Sequence, residues 1–227
     1  MAKLFRSLLS KAYGAAALIG KAALLASAAG TAAAEPVTIA ALGDSLTAGY
    51  GLPQDDGLVP RLQAWLDARG HDVTLINAGV SGDTTAGGLA RASWTLTPEV
   101  DAMILALGGN DFLRGIDPAV SRANLAGILD VAAAQDVEVL LVGIVASGNY
   151  GADYRDAFNA MYPELAAEYG TLLDRDFFNG FRDPVEAGTP VADLMQRDGI
   201  HPNARGVALI VDTIGPQVEA LITRLRE

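Results

Sequence analysis

The chain has 227 residues, 51% of them hydrophobic, enough for one domain with a large core. It has no cysteine, which excludes disulfides, thiol nucleophiles and thiolate metal sites, and only two histidines, His71 and His201, which argues against a His-rich metal centre. Its formal charge of −11 repels phosphate backbones and anionic headgroups, so no nucleic-acid partner is expected.

The N-terminus has the pattern of an export signal. Lys3, Arg6 and Lys11 form a basic region, an alanine- and leucine-rich stretch follows, and Ala32-Ala33-Ala34 before Glu35-Pro36 supplies an A-x-A cleavage site. The charge-free run from Ala22 to Ala34 is thirteen residues, short of the roughly 18 needed to span a bilayer. The expectation is a cleaved signal over residues 1–34 and a single domain over 35–227. The product would be periplasmic or secreted, monomeric, and without a stable membrane anchor. Losing four basic residues and no acids takes the remainder to −15.

Beyond the signal, apolar runs alternate with amphipathic stretches. Val37–Leu42 reads as the first strand. Leu58, Leu62, Trp65 and Leu66 recur at helical spacing, which predicts a helix over Gly57–Arg69. Val73–Asn77 is the second strand. A helix over Thr84–Trp94 follows, capped by Asp83 or Thr84. Ala102–Leu107 is the third strand, Pro118–Gln135 a helix with proline in its first turn, and Glu138–Ile144 the fourth strand. Tyr154, Phe158, Tyr162, Leu165 and Tyr169 make a helical stripe that Pro163 is expected to kink or divide. Thr171–Leu173 is a short fifth strand. Phe177–Arg197 has no regular period and reads as a long surface loop with a short helical turn. Val207 to Leu225 is a terminal helix, bent near Gly215-Pro216.

Strands that are apolar almost throughout, alternating with helices, imply an α/β fold. The expected form is a three-layer α/β/α sandwich around a mostly parallel five-stranded sheet. Ligands bind at the carboxyl ends of such strands. Three polar loops should meet there: Gly43-Asp44-Ser45, Gly79-Val80-Ser81-Gly82-Asp83 and Gly108-Gly109-Asn110-Asp111.

A serine hydroxyl is a poor nucleophile without a base. His201 lies three residues after Asp198, a spacing that lets the carboxylate orient the imidazole in a turn. An oxyanion would need donors, and the Ser45 N–H, the Gly82 N–H and the Asn110 amide are the candidates. Asp44 either fixes the nucleophile loop or caps a helix. The α/β-hydrolase elbow G-x-S-x-G is absent around Ser45, and no Walker or dinucleotide glycine pattern is present.

Four blocks in order, Gly43-Asp44-Ser45, Gly82, Gly108-Gly109-Asn110-Asp111 and Asp198-Gly199-Ile200-His201, resemble the GDSL or SGNH hydrolase superfamily, whose fold is flavodoxin-like. Ser81-Gly82-Asp83-Thr84-Thr85, Gly87-Gly88-Leu89-Ala90-Arg91, Gly109 to Gly115, Asn149-Tyr150-Gly151 and Tyr162-Pro163-Glu164-Leu165 resemble its exported arylesterase, thioesterase I and lysophospholipase subgroup. The resemblance implies a serine esterase with Ser45, Asp198 and His201 as triad. Ser45, Gly82 and Asn110 would form the oxyanion hole, with no cofactor and no metal. Its partner is a small-molecule acyl ester or thioester. Phe112, Leu113, Ile116, Val145 and Tyr150 are expected to favour an acyl chain, with Phe112 where a smaller residue is expected in some relatives. Two alternatives stay open: a carbohydrate O-acetyl esterase, which needs a polar sugar cleft, and a non-catalytic binding domain.

Overall fold

The five apolar runs pair into one sheet in a computed structural model, which describes residues 36–227. The export segment predicted over residues 1–34 lies outside the described residues. The strands are β1 Val37–Gly43, β2 Val73–Gly79, β3 Ala102–Ala106, β4 Glu138–Val142 and β5 Leu172–Asp174. Their order is β2-β1-β3-β4-β5, and every pairing is parallel.

Parallel neighbours need crossover helices. These are α2 Leu58–Asp67, α3 Thr85–Thr95, α5 Pro118–Ala133 and α6 Ala152–Tyr169, with α8 Ala204–Arg224 closing the chain. The path from β1 to β2 runs one way across the sheet, whereas β2 to β3 and onward runs the other. With right-handed crossovers, that reversal puts α2 on one face and α3, α5 and α6 on the opposite one. The packing agrees: α2 lies against α8, and α5 lies between α3 and α6. The core between these layers includes Ile39, Leu42, Leu62, Leu66, Leu105, Leu125, Phe158 and Val218. Each such side chain contributes about 1.5–3 kcal/mol by leaving water.

The elements differ from expectation where packing overrides pattern. The stripe ending at Tyr169 is one helix, α6, which Pro163 does not divide, whereas α8 runs through Pro216 as the single terminal helix expected. The strand β2 is half-exposed, with Ile76 and Asn77 open to solvent, because it lies at the sheet edge. The segment read as a surface loop carries α7 Arg182–Glu186 and two single helical turns, and it buries Phe177, Phe181 and Leu194. Its large side chains insert one at a time into the core, so no period marks them.

Two more short helices, α1 Ser45–Ala48 and α4 Gly109–Leu113, stand where loops were expected. The register explains their position. Gly43 pairs with both Gly79 and Ala106, so the carboxyl ends of β2, β1 and β3 stop at one level. A side chain at Gly79 would run into the backbone of Ala48, so glycine lets α1 lie across the strand ends. The reversal in strand path occurs between β1 and β3, and a crevice for ligands opens at such a switch point.

Candidate active site

Ser45 is the first residue of α1, and Asp44 is its N-cap, accepting from the Leu46 N–H at 3.0 Å. The first N–H groups of a helix have no intrahelical acceptor. Neither the Ser45 N–H nor the Gly82 N–H has an intramolecular acceptor among the described residues. Gly82 has φ +86°, a left-handed conformation that a side chain would strain. The Gly82 carbonyl in turn accepts from Arg114 Nη2 at 2.8 Å.

The structure brings the serine and the distant histidine together. Ser45 Oγ lies 2.9 Å from His201 Nε2, and His201 Nδ1 lies 2.7 Å from Asp198 Oδ2. The other Asp198 oxygen accepts from the Ile200 and His201 N–H groups at 2.9 and 3.0 Å. These hydrogen bonds, the one from the imidazole foremost, pull the Asp198 carboxyl down to about 2 although it is open to solvent. A partner at Nδ1 that is ionised at neutral pH leaves Nε2 as acceptor toward the serine, the tautomer a general base needs.

The histidine loop is held onto the serine turn by residues that the sequence pattern did not single out. Gln196 Nε2 donates to Tyr50 O at 2.8 Å and to Pro202 O at 3.0 Å, and Gln196 N donates to His201 O at 2.7 Å. The Tyr50 ring packs 4.6 Å from the imidazole centroid. Asn203 caps α8 through the Arg205 and Gly206 N–H groups while its amide donates to the Asp193 and Met195 carbonyls. Nothing in the local composition distinguishes Gln196 from a surface glutamine.

On the other side, Asn110 Nδ2 donates to Asp44 Oδ2 at 3.2 Å, which leaves one amide hydrogen for a ligand. Asp44 is fully buried. Burial pushes its carboxyl up to about 6; the Leu46 N–H, the Asn110 amide and the charge of His201 oppose the rise, and Asp111 adds to it. Asp111 is itself buried and accepts from Thr85 N, Thr85 Oγ1 and Ser121 Oγ at 2.8, 2.6 and 2.9 Å. That network ties α4 to the starts of α3 and α5. The one signal for it is the place of Asp111 next to Asn110.

These groups face a cavity of about 790 Å³. Its walls are mainly apolar: Leu46, Phe112, Ile144, Phe178, Val191 and Met195 take part. Of the residues expected to favour an acyl chain, Phe112, Leu113 and Val145 line it. Tyr150 and Ile116 do not: Tyr150 packs edge-on against Phe112 at 5.9 Å, and the Ile116 carbonyl accepts from Tyr154. Phe112 thereby joins an aromatic row with Tyr154 and Phe158, a packing reason for its size. No group of three His, Asp or Glu side chains with metal-binding geometry exists among the described residues.

Residues 41–209, from within β1 past the histidine loop, match the GDSL-like Lipase/Acylhydrolase family. The chain belongs to that family. Esterase TesA of Pseudomonas aeruginosa is 39% identical over 186 residues, covering 82% of this chain and 89% of that protein. A protein of Escherichia coli described as thioesterase 1/protease 1/lysophospholipase L1 is 37% identical, covering 84% and 87%. Among solved structures, the psychrotrophic esterase EstA from Pseudoalteromonas sp., inhibited by monoethylphosphonate, superposes with a TM-score of 0.74 at 33% identity over 82% of this chain and 98% of that one. The five-stranded all-parallel sheet flanked by helices is the fold of this GDSL-like family.

Proposed function

We propose that the protein is a serine esterase that cleaves acyl esters through an acyl-enzyme, with acyl thioesters and lysophospholipids as further substrates. The observation that carries the reading is the continuous chain Asp198–His201–Ser45 at 2.7 and 2.9 Å, opening on an apolar cavity. Ser45 Oγ attacks the acyl carbonyl while His201 Nε2 takes its proton. Asp198 holds the imidazole and stabilises the imidazolium, and the nearby buried Asp44 adds favourable charge. The Ser45 and Gly82 N–H groups and the Asn110 amide receive the developing oxyanion. His201 then returns the proton to the leaving alcohol or thiol. Water attacks the acyl-enzyme with His201 again as base, releasing the acid and free Ser45.

The apolar walls favour an acyl chain over the polar cleft a sugar acetate would need. Export of residues 35–227 to the periplasm or medium, as a monomer without an anchor, belongs to the same proposal. It rests on the basic, apolar and small-residue pattern of residues 1–34.

The test is a rate profile with p-nitrophenyl esters of increasing chain length plus one acyl-CoA, run beside Ser45→Ala. Wild type should turn over the esters, Ser45→Ala should not, and a fluorophosphonate probe should label Ser45 alone. Unchanged turnover in Ser45→Ala would overturn the mechanism. Cell fractionation with N-terminal sequencing tests export, the expected mature terminus being Glu35.

A further inference from the structure

Arg91, on α3, reaches three separate segments with its three nitrogens. Nε donates to Asp83 Oδ2 at 2.7 Å, Nη1 to Ala78 O at 2.7 Å and Nη2 to Gly43 O at 2.8 Å. Each acceptor has a meaning for the site. Gly43 lies two residues before Ser45, at the end of β1. Ala78 lies at the end of β2. Asp83 directly follows Gly82. The Arg91 side chain is mostly covered, with 23% of it exposed, and Asp83 is covered to a similar degree at 18%.

We propose that Arg91 is a positioning residue for the oxyanion hole, fixing the distance between the Ser45 N–H and the Gly82 N–H. This deepens the serine-esterase reading and rests on it. The two donors belong to different strand-end loops. The Val80 N–H donates to Gly43 O and the Asp83 N–H to Val80 O, both at 3.0 Å. Ser81 and Gly82 form an exposed turn that Arg114 also holds, through the Gly82 carbonyl. Arg91 closes the triangle: one planar group holds the strand end before the first donor and the carboxylate beside the second.

Geometry makes the arginine specific. A guanidinium presents its N–H donors in a rigid fork, so three acceptors on three segments are held in one fixed arrangement. A lysine ammonium is a single point that cannot reach all three. The surroundings are shaped for the clamp. A side chain at Gly87 would collide with the Asp83 carboxylate, so glycine keeps the space in which Asp83 meets Arg91. On the far side of Gly82, Arg114 holds the Gly82 carbonyl, and Gly82 itself lines the cavity. Arg91 does not line the cavity and touches no reacting atom.

A positioning role predicts a loss confined to the oxyanion. Arg91→Ala and Arg91→Lys should each lower kcat on a p-nitrophenyl ester by about 10- to 100-fold, less than the loss of a whole donor, with KM changed little. Affinity for an acyl trifluoromethyl ketone, which forms the oxyanion adduct on Ser45, should fall by the same factor. Affinity for the matching alkyl ether, which has no electrophilic carbon, should not change. Millimolar guanidinium should restore part of the activity of Arg91→Ala.

Full activity in Arg91→Lys would show that the charge matters and not the fork, and would overturn the proposal. So would a trifluoromethyl ketone affinity within twofold of wild type in either folded variant. If Arg91→Ala does not fold by circular dichroism, Asp83→Ala removes one arm of the clamp alone. It should show the same selective loss on the ketone, and equal losses on ketone and ether would count against the proposal. The two readings fail separately. Activity in Ser45→Ala overturns the serine mechanism, whereas an inactive Ser45→Ala beside a wild-type-like Arg91→Lys overturns only the clamp.

Discussion

Asp44 and Asp198 flank the same serine and histidine and are opposite in burial and in the direction of their pKa shifts. Asp44 is buried under α1, and loss of water pushes its carboxyl up to about 6. Asp198 is open to solvent, and three hydrogen bonds pull its carboxyl down to about 2. One is tied into the scaffold through the Leu46 N–H and the Asn110 amide. The other is tied to the moving proton through His201 Nδ1. Surroundings, not residue type, set the task of each carboxylate. The buried side holds the Asn110 amide in place, and the exposed side holds the imidazole.

That contrast predicts a graded series. His201→Ala removes the proposed base and should lower kcat on an aryl acyl ester by about 10³- to 10⁶-fold in a steady-state assay. Asp198→Asn keeps the shape but loses the charge that selects the tautomer. The expected fall is about 10²- to 10⁴-fold; a loss below tenfold would end the claim that Asp198 acts on the proton. Asn110→Ala removes a proposed oxyanion donor and should lower kcat by about 10²- to 10³-fold with little change in KM.

The smallest effects are on stability, and there the two aspartates should differ in sign. Asp44 has a higher pKa folded than its ordinary value of 3.8. Its contribution is therefore whole below that value and is lost as pH rises through about 6. Relative to Asp44→Asn, wild type should lose up to about 3 kcal/mol between pH 4 and pH 7 in denaturant titrations. Asp198 has a lower pKa folded, so its contribution is present above 3.8 and lost as pH falls through about 2. Relative to Asp198→Asn, wild type should weaken only on the acid side. Parallel pH profiles for the two variants would break the comparison.

Much of this was legible in the chain. Strand and helix periods marked every element of the sheet and its major crossover helices, because burial on one stripe or on both faces leaves a repeating pattern. The reading of Ser45, Gly82, Asn110, Asp198 and His201 as one set drew on short blocks in order, and the structure brings them to one edge of the sheet. The short helices α1 and α4 were not legible. Four or five residues are too few to show a period, and they form because Asp44 caps one of them and the strand ends hold both. The cavity wall from Phe178 to Met195 was read as surface loop for a similar reason.

Sequence alone therefore determined the layer architecture, which follows from residue type and local spacing, and through short blocks in order it singled out the groups proposed to react. Tertiary structure decided everything that depends on distance between remote segments. It set the 156-residue closure between Ser45 and His201, the Gln196 and Arg91 ties that hold the two sides, and the opposite shifts of two aspartates. Those quantities are set by which surfaces exclude water and which dipoles converge, and no local pattern encodes them.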